Sequence, residues 1–300
     1  MLDFRKPISE DFDWIREIGY DNKLMQNDAG AVNIALLTEK YNTHVYNYKN
    51  TMLRFFPEGY LSGTYAAPVG PADYRELIPL LEEDAAGRGL EFRLELLTEA
   101  DCKRLEAAFP GEFEIKQVLA YTEYIHLQEN VSRMEGKAYS KKRNHIAQFF
   151  KKYPDARIVP ITKENLKDAY QVARGWLDGQ AIERKNYLEY EYRAILMAGD
   201  NWDNWCLKGI MVYVDDEPVG MTIASMLSEG VYDVHFEKAL AKYPHVWSVL
   251  VRELAKYLTD AVWINREEDL GDEGLRKSKL SYRPDLLLSK YQAVRRGLDK

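Results

Sequence analysis

Only two cysteines occur in 300 residues, Cys102 and Cys206, and they stand far apart at no metal-ligand spacing. That excludes a disulfide-stapled scaffold and reads as reduced thiols, so the expected location is the cytoplasm. Glycine-rich phosphate loops are missing too. No GxGxxG follows a candidate strand and no Walker sequence occurs, which excludes the common dinucleotide and nucleotide-hydrolysing sites. No GxSxG nucleophile elbow is present. The five histidines do not cluster with cysteines or carboxylates at metal-ligand spacing, so no metal is expected. No apolar run reaches membrane-spanning length, and the residues from Met1 to Pro7 begin no signal peptide. Basic charge is not in excess either. The formal net charge of −7 speaks against a surface coated for nucleic acid, but it allows one local basic groove.

What is present is a globular composition, 46% hydrophobic and 30% charged, long enough for two domains. No linker-like segment separates them. Periodicity predicts a helix over Ser9–Asp21, then strands at Val32–Leu37, Thr43–Tyr48, Met52–Phe56 and Tyr60–Ala66. A helix over Ala72–Arg88 stops at Gly89. Strand, helix and two strands follow, up to Leu127. A helix over Ala138–Tyr153 stops before Pro154. The pattern then restarts with a strand at Arg157–Pro160, two helices, and a hairpin that turns at Asp215-Asp216. Strands at Val231–Glu237 and Ala261–Ile264, a helix over Asp272–Leu280 and a strand at Leu286–Ala293 complete it. The shared order predicts a mixed α/β (α+β) fold of two domains, 1–153 and 154–300, each a mostly antiparallel sheet flanked by helices.

Three constellations can carry chemistry. On the strand Val231–Glu237, alternation puts Asp233, His235 and Glu237 on one face. Either that face is solvated, or it lines a wet cleft where His235 or Glu237 serves as general base. The second is Ile264–Tyr282, where Glu267, Glu268 and Asp269 precede a helix carrying Arg276 and Lys279. Such an acidic entry suits an ammonium group better than a phosphate, so this junction is expected to recognise an amine. The third is Lys137–Lys152, which contains no acid. There Lys142 and Arg143 flank the packing face and suit phosphate groups, of coenzyme A or of a tRNA backbone.

Several segments lie in a familiar order: Tyr124–Leu127, Gly136-Lys137 with Lys142–His145, His235–Ala239, and Ile264–Tyr282. Together they resemble bacterial proteins related to the C-terminal catalytic domain of phosphatidylglycerol lysyltransferase, over nearly the whole chain. The resemblance implies tandem GNAT-like (Gcn5-related N-acetyltransferase) domains and acyl or aminoacyl transfer to an amine or hydroxyl. The lysyltransferases use aminoacyl-tRNA and a membrane lipid; simpler GNAT enzymes use acyl-coenzyme A. This chain departs from both. It lacks the multi-spanning membrane domain, and its loop Lys238–His245 holds no glycine where acetyltransferases place a pyrophosphate loop.

The resulting expectation is a GNAT-like transferase moving an acyl group from acyl-coenzyme A to an amine-bearing small molecule, with the donor between Val231–Glu237 and Ala261–Ile264. Its alternatives are aminoacyl transfer from tRNA and a non-catalytic binding protein on the same fold. His235, Glu237 and Lys279 are the expected catalytic groups. Lys238, Lys242, His245, Lys142 and Arg143 are expected at the donor, and Asn265, Arg266, Glu267, Asp269, Arg276 and Tyr282 at the acceptor.

Overall fold

A computed structural model describes residues 1–297, the side chains of 182–187 excepted. Its strands, in chain order, are β1 (His44–Tyr48), β2 (Thr51–Phe56), β3 (Thr64–Ala66), β4 (Arg93–Leu97), β5 (Phe113–Gln117) and β6 (Glu123–Leu127). There follow β7 (Arg157–Pro160), β8 (Lys208–Val214), β9 (Glu217–Ser228), β10 (Val231–Ala239), β11 (Trp263–Asn265), β12 (Leu286–Leu288) and β13 (Tyr291–Arg295). They form two sheets, in the orders β1-β2-β3-β4-β13-β5 and β12-β6-β11-β10-β9-β8-β7. Antiparallel pairing dominates both; β3–β4 and β10–β11 are parallel. Two mixed sheets flanked by helices match the expected fold class.

The chain parts into two compact units, neither continuous in sequence. The first combines Met1–Glu123, Glu268–Glu273 and the chain from Leu287; the second combines Tyr124–Glu267 and Gly274–Leu286. The expected boundary at 153/154 thus falls inside the second unit. The reason is a pairing that no local pattern announces: β6 lies antiparallel to β11, with Ile125 opposite Asn265 and Leu127 opposite Trp263.

Local patterning explains most elements. The β1–β2 and β8–β9 hairpins turn on Lys49-Asn50 and Asp215-Asp216, all four with positive φ between 48° and 64°, as two-residue turns require. Among the differences from expectation, three bear on the fold. Val32–Leu37 is not a strand but the helix Ala31–Leu36, since a short, mostly apolar stretch broken by Asn33 carries no decisive period. Leu286–Ala293 is two strands, β12 and β13, in different sheets. A short helix, Gln128–Arg133, lies where no helix was expected.

In the first unit Phe55, Tyr65, Leu77, Leu81, Leu94 and Ala293 share one core. A buried ion cluster accompanies it. Lys290, 1% exposed, donates to Asp28 and lies 2.6 Å from Glu123, and Arg54 donates to Asp28 at 2.9 Å. Burial works to raise the Asp28 pKa, but Lys290 and Arg54 outweigh it and hold it below the usual range. For Glu123 burial wins over Lys290 and pushes its pKa up to about 7.

In the second unit β9 and β10 are buried along nearly their whole length, and the helices Leu166–Asp178 and Val246–Tyr257 pack on them. Val212, Val219, Tyr232, Val234, Val249 and Leu254 form the core. A strand covered on both faces leaves none solvated. The ionisable side chains of β10 are therefore enclosed.

Candidate functional site

The site grows from the parting of β10 and β11. They pair only over Val231–Asp233 and Trp263–Asn265; β10 then runs on to Ala239 while β11 ends. Arg266 follows immediately, its N–H bonded to the Tyr124 carbonyl. Its guanidinium reaches β10 and donates through Nη2 to Glu237 at 2.5 Å. Arg266 is only 8% exposed, yet its Nε and Nη1 find no hydrogen-bond partner among the described residues. Buried donors of this kind are costly to leave unmet. They suit an oxygen that arrives with a substrate.

Glu267 continues the chain with φ +55°, a strained value for a non-glycine residue. The Asn265 side-chain oxygen accepts its N–H at 2.8 Å and fixes the turn. The turn carries Glu267 toward His235, whose Nδ1 lies 3.7 Å from Glu267 Oε1 and 3.3 Å from Asp233 Oδ2. The other ring nitrogen, Nε2, contacts Ser225 Oγ at 2.7 Å. A register shift in the β9–β10 ladder between Val234 and Phe236 places His235 at a bulge, a common device for re-aiming a side chain.

Tyr282 joins the expected donor and acceptor residues. Its ring lies 4.7 Å from the Arg266 guanidinium and 3.6 Å from the Lys142 ammonium, and its hydroxyl lies 3.3 Å from Ser248 Oγ. Burial pushes the Lys142 pKa down to about 8, helped by Arg266 and Lys141 and opposed by Glu237. A fraction of Lys142 is therefore a neutral amine near neutral pH, able to accept a proton.

This shift predicts a pH-dependent stability. Between about pH 8 and the unfolded lysine value of about 10.5 the unfolded chain binds more protons, so stability from this group rises with pH. Below pH 8 the buried charge is a full penalty. Lys142→Met should raise the melting temperature at pH 7, by about 1–3 kcal/mol of unfolding free energy, and the gain should shrink toward pH 10. Thermal melts of both proteins at pH 7 and pH 10 check this. An equal or larger gain at pH 10 contradicts it.

The remaining expected residues have other occupations. Lys238 is buried against Glu191 at 2.6 Å, over the Trp176 ring. Lys242 is exposed and paired with Glu217 at 2.8 Å. Arg143 donates to the Met134 and Gly136 carbonyls. His245 stands before the Val246–Tyr257 helix with φ +70° and stacks on His145. Lys279 is buried and donates to the Arg266 carbonyl at 2.5 Å, which positions the turn. Arg276 is half-buried on the helix Glu273–Leu280. Asp269 belongs to the first unit, and its carboxylate accepts the Gly271 N–H.

Sequence reasoning missed Ser225, Ser248 and His126. His126 is fully buried on β6, and burial, reinforced by Arg266 and Lys279, pushes its pKa down to about 3. It is neutral at all ordinary pH. For Ser225 the available signal was its place on the strand adjoining β10; nothing in its neighbours marks it.

Comparisons with known proteins agree with this architecture. A crystal structure of a conserved protein of unknown function from Bacteroides thetaiotaomicron superposes with a TM-score of 0.92 at 28% identity, covering 99% of this chain and 100% of that one. The structure of L-PGS from Bacillus licheniformis gives a TM-score of 0.66 at 15% identity, covering 99% of this chain and 96% of that one, a likeness of fold. An uncharacterised protein of Mycoplasmoides gallisepticum is 22% identical over 176 residues, 57% of this chain; the match spans about half, 55%, of that relative's length. The family model described as phosphatidylglycerol lysyltransferase, C-terminal, matches residues 25–294. With nearly the whole chain inside that match, the protein belongs to the phosphatidylglycerol lysyltransferase C-terminal family.

Proposed function

We propose that the second unit transfers an aminoacyl group from an aminoacyl-tRNA to a hydroxyl or amine acceptor. The observation that carries this reading is the buried Arg266, with two unmet donors beside Glu237. The acceptor oxygen or nitrogen attacks the ester carbonyl carbon of the donor. The proton it loses passes to Glu237, or to the neutral fraction of Lys142. Arg266 Nε and Nη1 receive the oxyanion that develops on the carbonyl oxygen. The bond from the carbonyl carbon to the ribose oxygen then breaks, and the ribose oxygen takes up the proton.

Two further features favour tRNA as donor. Lys238 and Lys242, expected to help bind coenzyme A, are engaged by Glu191 and Glu217. The acid-free helix Ser140–Lys152 turns Lys141, Lys151 and Lys152 to solvent, which suits a phosphate backbone. The family's name supplies lysine as the transferred group and phosphatidylglycerol as an acceptor. An amine-bearing small molecule is the other acceptor class.

A second reading, with acyl-coenzyme A as donor, draws on the helix start at Val246 and the exposed Lys242 near it. Calorimetry and label transfer separate the two. Charged tRNA is expected to bind with steep salt dependence and to release labelled amino acid onto phosphatidylglycerol vesicles or a soluble amine. Thiol release from acetyl-coenzyme A would establish the second reading instead. Binding of neither donor by folded protein would leave a non-catalytic binding module.

A further inference from the structure

The geometry points to a divalent-metal site at Asp233, His235 and Glu267, taking a first-row ion of the zinc or manganese class. One ligand atom from each residue lies within 4.8 Å of the other two. The His235 Nδ1 separations, 3.3 Å to Asp233 and 3.7 Å to Glu267, bracket the spacing of neighbouring ligands in a tetrahedral site. With metal–ligand bonds of about 2.0–2.2 Å that spacing is about 3.4 Å.

His235 is the independent observation. It is 7% exposed, and its Nδ1 makes no hydrogen bond among the described residues although it faces both carboxylates. Its Nε2 meets the buried Ser225 hydroxyl. In the tautomer that donates from Nε2 to Ser225, Nδ1 carries a lone pair 3.3 Å from one carboxylate oxygen and 3.7 Å from the other. Three acceptor atoms this close together suit a cation. The arrangement also repeats the usual outer support of a metal-bound imidazole, whose second nitrogen is held by a polar partner.

The donor set selects the ion. One imidazole and two carboxylates suit zinc or manganese better than calcium or magnesium, which prefer oxygen alone. Three protein ligands leave a fourth position. Glu267, with its side chain 25% exposed, is the ligand that solvent reaches. No cysteine or closely spaced histidine pair takes part, which is why spacing rules applied to the sequence pass over it.

The test is metal uptake, independent of any transfer reaction. Chelator-treated protein is dialysed against zinc or manganese chloride and its metal content measured, with affinities from calorimetry. About one ion per chain is expected. Glu267→Gln should weaken binding tenfold or more, and Ser225→Ala by about 10–100-fold, with unchanged circular dichroism. Asp233→Asn should do so more strongly; should it fail to fold, Glu267→Gln, at a partly exposed turn, decides alone. Cobalt substituted into the wild type should show the visible bands of a tetrahedral site, and these should be missing from Glu267→Gln. Uptake far below one ion per chain by folded wild type, or a Glu267→Gln variant that binds as tightly, overturns the assignment.

Discussion

Glu237→Gln is expected to lower turnover by about 10²–10⁴-fold, the usual loss when a general base is removed. The substitution keeps shape and an oxygen that still accepts from Arg266, so the second unit should remain folded. It removes the negative charge, and with it the proton acceptor. A purely structural Glu237 would give a different signature. Its loss would lower the melting temperature and raise KM, with kcat and the pH profile intact. A base predicts instead that the acidic limb of kcat/KM disappears and that Glu237→Asp recovers part of the rate. A fall of less than threefold, in protein with unchanged circular dichroism, would remove Glu237 from the mechanism.

Glu237 was legible in the sequence because strand alternation needs no partner information. Asp233, His235 and Glu237 fall at every second position, and the structure puts Asp233 and His235 in one cluster and Glu237 beside Arg266. What alternation could not report was burial. The same pattern describes a solvated face, and only the helices packed on β9 and β10 exclude it. In the acidic entry after β11 each carboxylate is placed by its own local backbone. The positive φ of Glu267 turns it toward His235, whereas Asp269 folds back on Gly271. The basic residues show a related limit. Lys238 and Arg143 are positive in any reading, but their partners Glu191 and the Met134 carbonyl are remote in sequence or belong to the backbone. Charge shows in a sequence; whether it is already matched does not.

Lys290→Met should be the most destabilising single change in the first unit, by about 3–5 kcal/mol at pH 8. Lys290 stands between Asp28 and Glu123. Its removal leaves Arg54 to hold Asp28, and Glu123 with no ammonium beside it. The loss should shrink in acid. Glu123 already has a folded pKa raised to about 7, above the unfolded carboxylate value, so the folded state binds the extra proton. Stability from this group is greatest below about pH 4.5 and falls as pH rises through 7. Without Lys290 the folded value moves higher still, so the difference between variant and wild type should widen from pH 5 to pH 8. Urea melts at both pH values test this, and a loss that is equal at the two, or larger at pH 5, would contradict the ion-cluster account.

The placement of β13 bears on how the protein is made. It is inserted between β4 and β5, pairing Ala293 with Leu94 on one side and Ile115 on the other. The first sheet therefore has a gap in its interior until Tyr291–Arg295 arrive. During synthesis β4 and β5 must wait, with open backbone edges, while the ribosome delivers the second unit. The unit encoded first is thus completed last. Nascent chains halted before β13 should be the ones that engage chaperones and proteases.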